Sequence, residues 1–158
     1  MDHDKLLREQ LRKLLDWEDA HTTFDHAILG TKPSVYGVVP AGLPHSLWQL
    51  VEHFRRAQAD ILDFCLNPNY KEMKFPDDYW PETEPRSLKD WDEAVAAIRR
   101  DRKALQDLAM NPRIDLFARI PHGSGQTYLR ELLLVADHNA YHVGQIVDTR
   151  RALGDWSA

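Results

Sequence analysis

Residues 135–146, VADHNAYHVGQI, lie near the C-terminus of the chain and place His138 and His142 four residues apart. On a helix this spacing puts both imidazoles on one face, one turn apart, where together they can hold a metal ion. The same stripe runs through Leu134 and Ile146, so the two histidines interrupt an apolar row. We therefore expect them to point into the protein, and the other helices to pack around this polar position.

Three further stripes with a period near 3.6 residues precede this one, which predicts an all-α protein of four helices. Capping signals mark the starts of the last three: Ser46 with Gln49 forms a capping box, and Ser87 and Thr127 each stand at a helix start. Gly30 and Gly154 are expected to close the first and the last helix. The predicted helices lie near residues 4–29, 46–66, 88–109 and 127–153.

The segment between the second and third predicted helices, residues 67–87, is rich in proline and in aromatic residues. A disordered linker does not carry so many aromatic side chains, so we expect an ordered segment lying over the bundle. About 21 residues of chain can span a helix of roughly 30 Å, so helices two and three need not be antiparallel neighbours. This predicts a four-helix bundle with a long crossover between helices two and three, in place of simple up-down-up-down connections.

Two other histidines lie on predicted helices. His53 is one turn from Leu50 and Ala57, at the edge of the apolar face of helix two, where a ligand could reach the bundle axis. By itself such a histidine is more often a surface or core residue than a ligand. His21 lies within the apolar stripe of helix one and is expected to face the interior, either as a core histidine or as a wall of the metal site.

The motif His138-x-x-x-His142-Val-Gly-Gln-Ile late in the chain, after an inward histidine on an earlier helix, resembles the DinB-like family of damage-inducible proteins. The resemblance covers essentially the whole chain and implies one domain over residues 1–158. It implies a four-helix bundle in which one histidine of helix two and two of helix four hold a divalent metal. Carried over to this chain, these ligands are His53, His138 and His142. It also implies a homodimer.

The composition describes an ordinary soluble protein, with 43% hydrophobic and 28% charged residues and a net charge of −5. An acidic balance disfavours binding to nucleic acid, including the DNA-binding function that the link to damage-inducible genes would suggest. The N-terminus lacks the apolar core of a signal peptide, and no apolar run is long enough for a membrane span. Cys65 is the only cysteine, which excludes an intrachain disulfide and favours a reducing, cytoplasmic location.

Three neutral imidazoles would leave one or more coordination positions open, which is typical of a catalytic and not of a closed structural site. All-nitrogen ligation suits zinc or nickel, with iron and cobalt as alternatives. Tyr141 and Gln145 share the face of the histidine pair, and Gln145 is the stronger candidate for orienting an imidazole. Because protonated imidazole cannot bind a metal, we expect binding to weaken as the pH falls through about 6.5.

Two classes of function stay open at this point. The resemblance implies a metal-dependent enzyme of the thiol S-transferase or detoxification type, which would use a low-molecular-weight thiol and an electrophilic small molecule. The alternative is a non-catalytic metal-binding or small-ligand-binding protein of the stress response. Cys65 falls on the apolar face of helix two, so it is expected to be a core residue and not a nucleophile.

Overall fold

The computed structural model describes residues 2–156, and the described part of the chain is all-α. It contains no strand, and one isolated bridge pairs Arg119 with Thr127. A short 3-10 turn, Pro33–Val35, precedes the third helix. The five helices are α1 (His3–Leu14), α2 (Phe24–Ile28), α3 (Leu47–Leu66), α4 (Leu88–Met110) and α5 (Tyr128–Ala152).

The helix starts predicted from the capping residues are confirmed for the three long helices α3, α4 and α5. At α3, Ser46 and Gln49 bond to each other's backbone N–H groups and complete the capping box. The side chains of Ser87 and Thr127 accept hydrogen bonds from the third residue of α4 and of α5, respectively. Gly154 follows α5 with φ 66°, a conformation that favours glycine.

The prediction of one continuous first helix over residues 4–29 is wrong. Residues 15–23 separate α1 from α2, and Thr23 caps α2 by accepting a hydrogen bond from His26 N–H. Arg102 of α4 stabilises this connection through ion pairs with Asp16 and Asp25. The apolar stripe continues across the break because α1 and α2 both bury apolar side chains against the same bundle, so periodicity alone could not reveal the break.

Side-chain contacts between helices fix their relative directions. Arg8 of α1 donates to the Ala109 carbonyl of α4, whereas the later Arg12 accepts from the earlier Gln106, so α1 and α4 are antiparallel. The first halves of α3 and α4 share one apolar cluster and their last turns share another, so α3 and α4 are parallel neighbours. His53 contacts His142 and Gln58 contacts Asn139, so α5 is antiparallel to α3. The bundle is therefore up-down-down-up.

The crossover between α3 and α4 is held along α3 by a row of hydrogen bonds. Four donors, spaced three or four residues apart on the cap and one face of α3, donate to backbone carbonyls of the crossover. Donors later in α3 bond to residues earlier in the crossover, so the two segments run in opposite directions. The pairs are Ser46 with Thr83, Gln49 with Pro81 (3.3 Å), His53 with Tyr79 (3.2 Å) and Arg56 with Asp78 (3.1 Å). The crossover thus returns the chain to the start of α3, as the sequence predicted.

The interior contains two apolar clusters and two buried arginines. One cluster lies around Trp91 and Ile146, and the other around Leu105 and Leu132. Cys65 is buried in the second cluster, as predicted, and burial raises the pKa of its thiol to about 12. Within residues 2–156, no helix has the length and apolar character needed to cross a membrane.

Candidate metal centre

The structure brings His53 of α3 together with His138 and His142 of α5. His53 and His142 are each 5% exposed, and His138 is half-buried. One ring nitrogen from each histidine lies within 4.8 Å of the other two, an arrangement that could hold a metal ion. The Nε2 atoms of His53 and His138 are 3.2 Å apart.

Hydrogen bonds at Nδ1 fix which nitrogen of His53 and of His142 is free. His53 Nδ1 faces the backbone carbonyl of Tyr79 at 3.2 Å, and His142 Nδ1 faces Gln145 Oε1 at 2.7 Å. Both oxygens can only accept, so each Nδ1 carries the proton and each Nε2 presents a lone pair. Gln145 Nε2 donates in turn to the Tyr141 hydroxyl at 3.1 Å, which orients the amide.

His138 is oriented by a chain of buried amides. Gln58 Nε2 donates to the Ile98 carbonyl at 2.8 Å, which leaves Gln58 Oε1 to accept from Asn139 Nδ2 at 2.9 Å. Asn139 Oδ1 then faces His138 Nδ1 at 3.5 Å. Because the Ile98 carbonyl can only accept, it fixes the orientation of the Gln58 amide, and Gln58 Oε1 in turn fixes that of Asn139. The oxygen of Asn139 is therefore the atom that faces His138 Nδ1. His138 is thereby also favoured with its lone pair on Nε2.

The donor set fits a divalent metal. A tetrahedral ion with bonds of about 2.0–2.1 Å to imidazole separates two ligand nitrogens by about 3.3 Å, close to the distance between His53 Nε2 and His138 Nε2. In each imidazole the other nitrogen faces an oxygen, which is the usual arrangement around a metal-binding histidine. Three protein ligands also leave room for a further ligand.

A family model described as the DinB superfamily matches residues 16–146, a span that contains all three histidines and the amides that support them, Gln58, Asn139 and Gln145. The chain belongs to the DinB superfamily. No curated protein and no solved structure gave a match. The family assignment confirms the resemblance seen in the motif around His138 and His142, and it agrees with an all-α fold that carries a cluster of histidines suited to a metal.

In this DinB superfamily chain, the three histidines are neutral near pH 7. Burial lowers the pKa of His53 to about 4 and that of His142 to about 3, and it also lowers the pKa of His138. The proximity of the histidines to one another lowers the first two values further, because a positive charge on one disfavours a second. Neutral imidazoles are the form that binds a metal.

An aromatic stack covers one face of His53. The ring centroids of Trp80 and His53 are 3.9 Å apart, with an angle of 1° between the ring planes. His45 stacks on the other face of Trp80, also with 3.9 Å between the ring centroids. Sequence reasoning predicted an ordered aromatic crossover but assigned no role to Tyr79 or Trp80, and it overlooked His45. The high density of aromatic residues in the crossover could have indicated a role for Tyr79 and Trp80.

The expectation that His21 faces the interior is wrong. His21 is exposed in the connection between α1 and α2, and its Nδ1 lies 2.8 Å from the Thr22 carbonyl. It borders a small cavity of about 30 Å³ beside Asn139 and Val143, and none of the three clustered histidines is among the described residues that line this cavity. The helix that would have turned His21 inward ends at Leu14.

Proposed function

We propose that the chain binds one divalent metal ion through His53, His138 and His142, and that it is a metal-dependent enzyme of the thiol S-transferase type. The observation that carries the proposal is the convergence of two buried imidazoles and one half-buried imidazole, and the Nδ1 atoms of the two buried rings are held by oxygen acceptors. Such an arrangement costs stability in a protein that does not use it, because buried imidazoles lose solvation and their lone pairs repel.

The residues around the site have distinct roles in this proposal. Gln145 and the Tyr79 carbonyl hold two imidazoles in one orientation and one tautomer, while Trp80 shields the His53 ring from water. A divalent ion bound by the three imidazoles would supply Lewis acidity, lowering the pKa of a bound water or thiol so that a nucleophile exists at neutral pH. Zinc or nickel suits this donor set.

The protein's own thiol does not serve as the nucleophile, which favours a cosubstrate. Cys65 is 4% exposed, and its raised pKa keeps it protonated. We therefore infer that a low-molecular-weight thiol is the nucleophile. Its sulfur forms a bond to the electrophilic carbon of a small molecule, the leaving group departs with the bonding electron pair, and the thiol proton is released.

We also propose that the protein acts in the cytoplasm as a homodimer and that it has no nucleic-acid partner. The single buried cysteine and the net charge of −5 support the first and the last of these points. The dimer rests on the family alone. Light scattering at micromolar concentration tests it, and a monomer would contradict it.

Turnover of a panel of electrophiles with a panel of cellular thiols tests the enzymatic function. The protein is purified without chelator, its metals are measured by elemental analysis, and activity is compared before and after chelation and after addition of zinc or nickel. We expect thiol consumption that requires metal and that is lost in His142→Ala. Exposed His21 provides the matched control, because His21→Ala should leave activity unchanged.

Stoichiometric metal without turnover of any thiol and electrophile pair would contradict the enzyme and support the alternative, a metal-binding protein of the stress response. Absence of metal binding in the wild-type protein would contradict both.

A further inference from the structure

A second site is indicated by a cavity of about 460 Å³, which none of the three clustered histidines lines. It lies between α3, the crossover and the start of α5. Its walls are Asp60 and Phe64 of α3, Tyr70, Glu72 and Tyr79 of the crossover, and His122 to Leu134 around the start of α5. A volume of this size accommodates a small organic molecule.

Aromatic rings form much of the cavity wall. Phe64 is at the centre of the group, with its ring centroid 5.1 Å from that of Tyr70 and 5.3 Å from that of His122. Tyr70 and His122 are 6.3 Å apart, so the three rings form one cluster, and Tyr79 adds a fourth ring to the wall. Clusters of aromatic rings are the usual recognition element for alkylated ammonium groups.

The charges around the cavity have the sign that such a ligand requires. The Asp60 carboxylate accepts a hydrogen bond from the Tyr70 hydroxyl at 2.9 Å and from the Tyr79 hydroxyl at 2.7 Å. Burial and the neighbouring carboxylate raise the pKa of both phenols, which therefore stay neutral. Arg130, which also lines the cavity, is paired with Glu131 at 2.7 Å. The other two acids of the lining, Asp60 and Glu72, therefore give the cavity a negative charge.

We propose that this cavity binds an organic ammonium group, with the aromatic cluster contacting its alkyl substituents and Asp60 supplying the opposing charge. A neutral or anionic ligand of the same shape would gain the apolar contacts but not the electrostatic attraction. A carboxylate or phosphate ligand would also meet the repulsion of Asp60 and Glu72.

The cavity lies near the three histidines, along the same two helices. Asp60 is seven residues after His53 on α3, and Glu131 is seven residues before His138 on α5. Seven residues of helix correspond to about 10 Å, so the cavity and the histidines lie on one groove between the two helices. If the proposed function holds, the ammonium group belongs to a substrate whose reactive end reaches the histidines, and this placement rests on that proposal.

Binding can be tested without any metal. The full chain is stripped with chelator and titrated with choline and with 3,3-dimethylbutan-1-ol, an uncharged molecule of the same shape, while backbone amide resonances are followed by NMR. We expect saturable shifts at residues of the cavity with choline, and affinity for the neutral molecule that is weaker by about tenfold. Failure of metal binding would not affect this result, so the two proposals fail independently.

Substitutions of single residues test whether choline binds in this cavity. Asp60→Asn should weaken choline binding by about tenfold, because it removes the charge while keeping the size of the side chain. Asp63→Asn is the matched control, since Asp63 lies on the same helix outside the cavity wall. Glu72→Gln provides a second test on an exposed residue if Asp60→Asn does not fold. Equal binding of the two molecules, no saturable shift, or equal affinity in the variants and the control would overturn the proposal.

Discussion

The Nε2 atoms of His53 and His138 lie 3.2 Å apart, although 85 positions separate the two residues in the chain. His53 Nε2 presents a lone pair, because the proton of its ring is on the side of the Tyr79 carbonyl. Two lone pairs at this distance repel unless a cation or a proton lies between them. We therefore expect the folded protein to gain stability when a divalent metal is added, because the metal binds the folded state alone.

Replacement of any one of the three histidines by alanine should remove most of the bound metal, because no other histidine, cysteine or carboxylate among residues 2–156 joins the cluster to compensate. Zinc per chain, measured by elemental analysis after dialysis, checks this. His122→Ala, at an exposed histidine outside the cluster, is the control and should keep the metal. Unchanged metal content in His138→Ala and His142→Ala would show that the site assignment is wrong.

Gln145→Leu should weaken metal binding by roughly 10- to 100-fold, because the Nδ1 proton of His142 loses its acceptor. Gln145→Glu keeps an oxygen acceptor and should largely restore affinity. Tyr141→Phe should have a smaller effect than Gln145→Leu, because it removes only the hydroxyl that accepts from the Gln145 amide and keeps the ring beside His142. Competition with a colorimetric chelator measures all three variants. Equal affinities for Gln145→Leu and the wild type would contradict this role.

The metal-free protein should lose stability as the pH falls from 7 to 5. Unfolded histidines take up protons near pH 6.5, whereas His53 and His142 in the folded state do so only at about 4 and about 3. Between these values the unfolded state binds more protons, so the free energy of unfolding decreases as the pH falls. Urea unfolding at several pH values measures the slope, which should be smaller in His142→Gln.

The same lowered pKa values predict a pH dependence of metal binding that differs from the one expected for unperturbed histidines. The sequence predicted loss of binding near pH 6.5, the ordinary value for histidine. Because the folded imidazoles of His53 and His142 resist protonation until about pH 4 and about pH 3, and burial also lowers the pKa of His138, metal should remain bound at pH 5.5 in the folded protein. Metal release at pH 6 from a protein that is still folded would contradict this expectation.

Gln58→Leu should destabilise the protein by roughly 1–3 kcal/mol, because it leaves the buried Asn139 amide without its acceptor. Gln58 is wholly buried. Gln106→Leu is the matched control, because Gln106 also donates to a backbone carbonyl, that of Arg12, but at an exposed position. The control should change the free energy of unfolding by less than about 0.5 kcal/mol. Chemical denaturation compares the two, and similar values would contradict the importance of the buried chain of amides.

Arg150→Met should destabilise the fold by about 3–5 kcal/mol, because it leaves the buried carboxylate of Asp155 without its main partner. Arg150 also donates to the carbonyls of Ala27 and Leu29, at the end of α2. The neighbouring Arg151 forms an exposed pair with Asp148 and lies 5.8 Å from the centroid of the Trp156 ring, so Arg151→Met should cost less than about 1 kcal/mol. Thermal unfolding distinguishes the two variants, and equal melting temperatures would contradict the prediction.

Much of the fold follows from short stretches of sequence. The period of apolar residues and the caps Ser46, Ser87 and Thr127 predict three helices within about two residues of their observed ends, because these signals act between residues three or four positions apart. The same spacing predicted that His138 and His142 share a face, and that Gln145 lies beside them. The break after Leu14 escaped prediction because an ion pair with Arg102, distant in sequence, stabilises it.

The tertiary structure alone decided how the candidate site is completed. The contact of His53 with the Tyr79 carbonyl, its stacking on Trp80 and the hydrogen bonds of Gln58 to Ile98 and Asn139 join residues 26 to 81 positions apart. No local pattern encodes such pairs, because they depend on the directions in which α3, α4 and α5 pack. Burial in that packing also sets the pKa of each histidine, since desolvation depends on what the folded chain places around the ring and not on its neighbours in sequence.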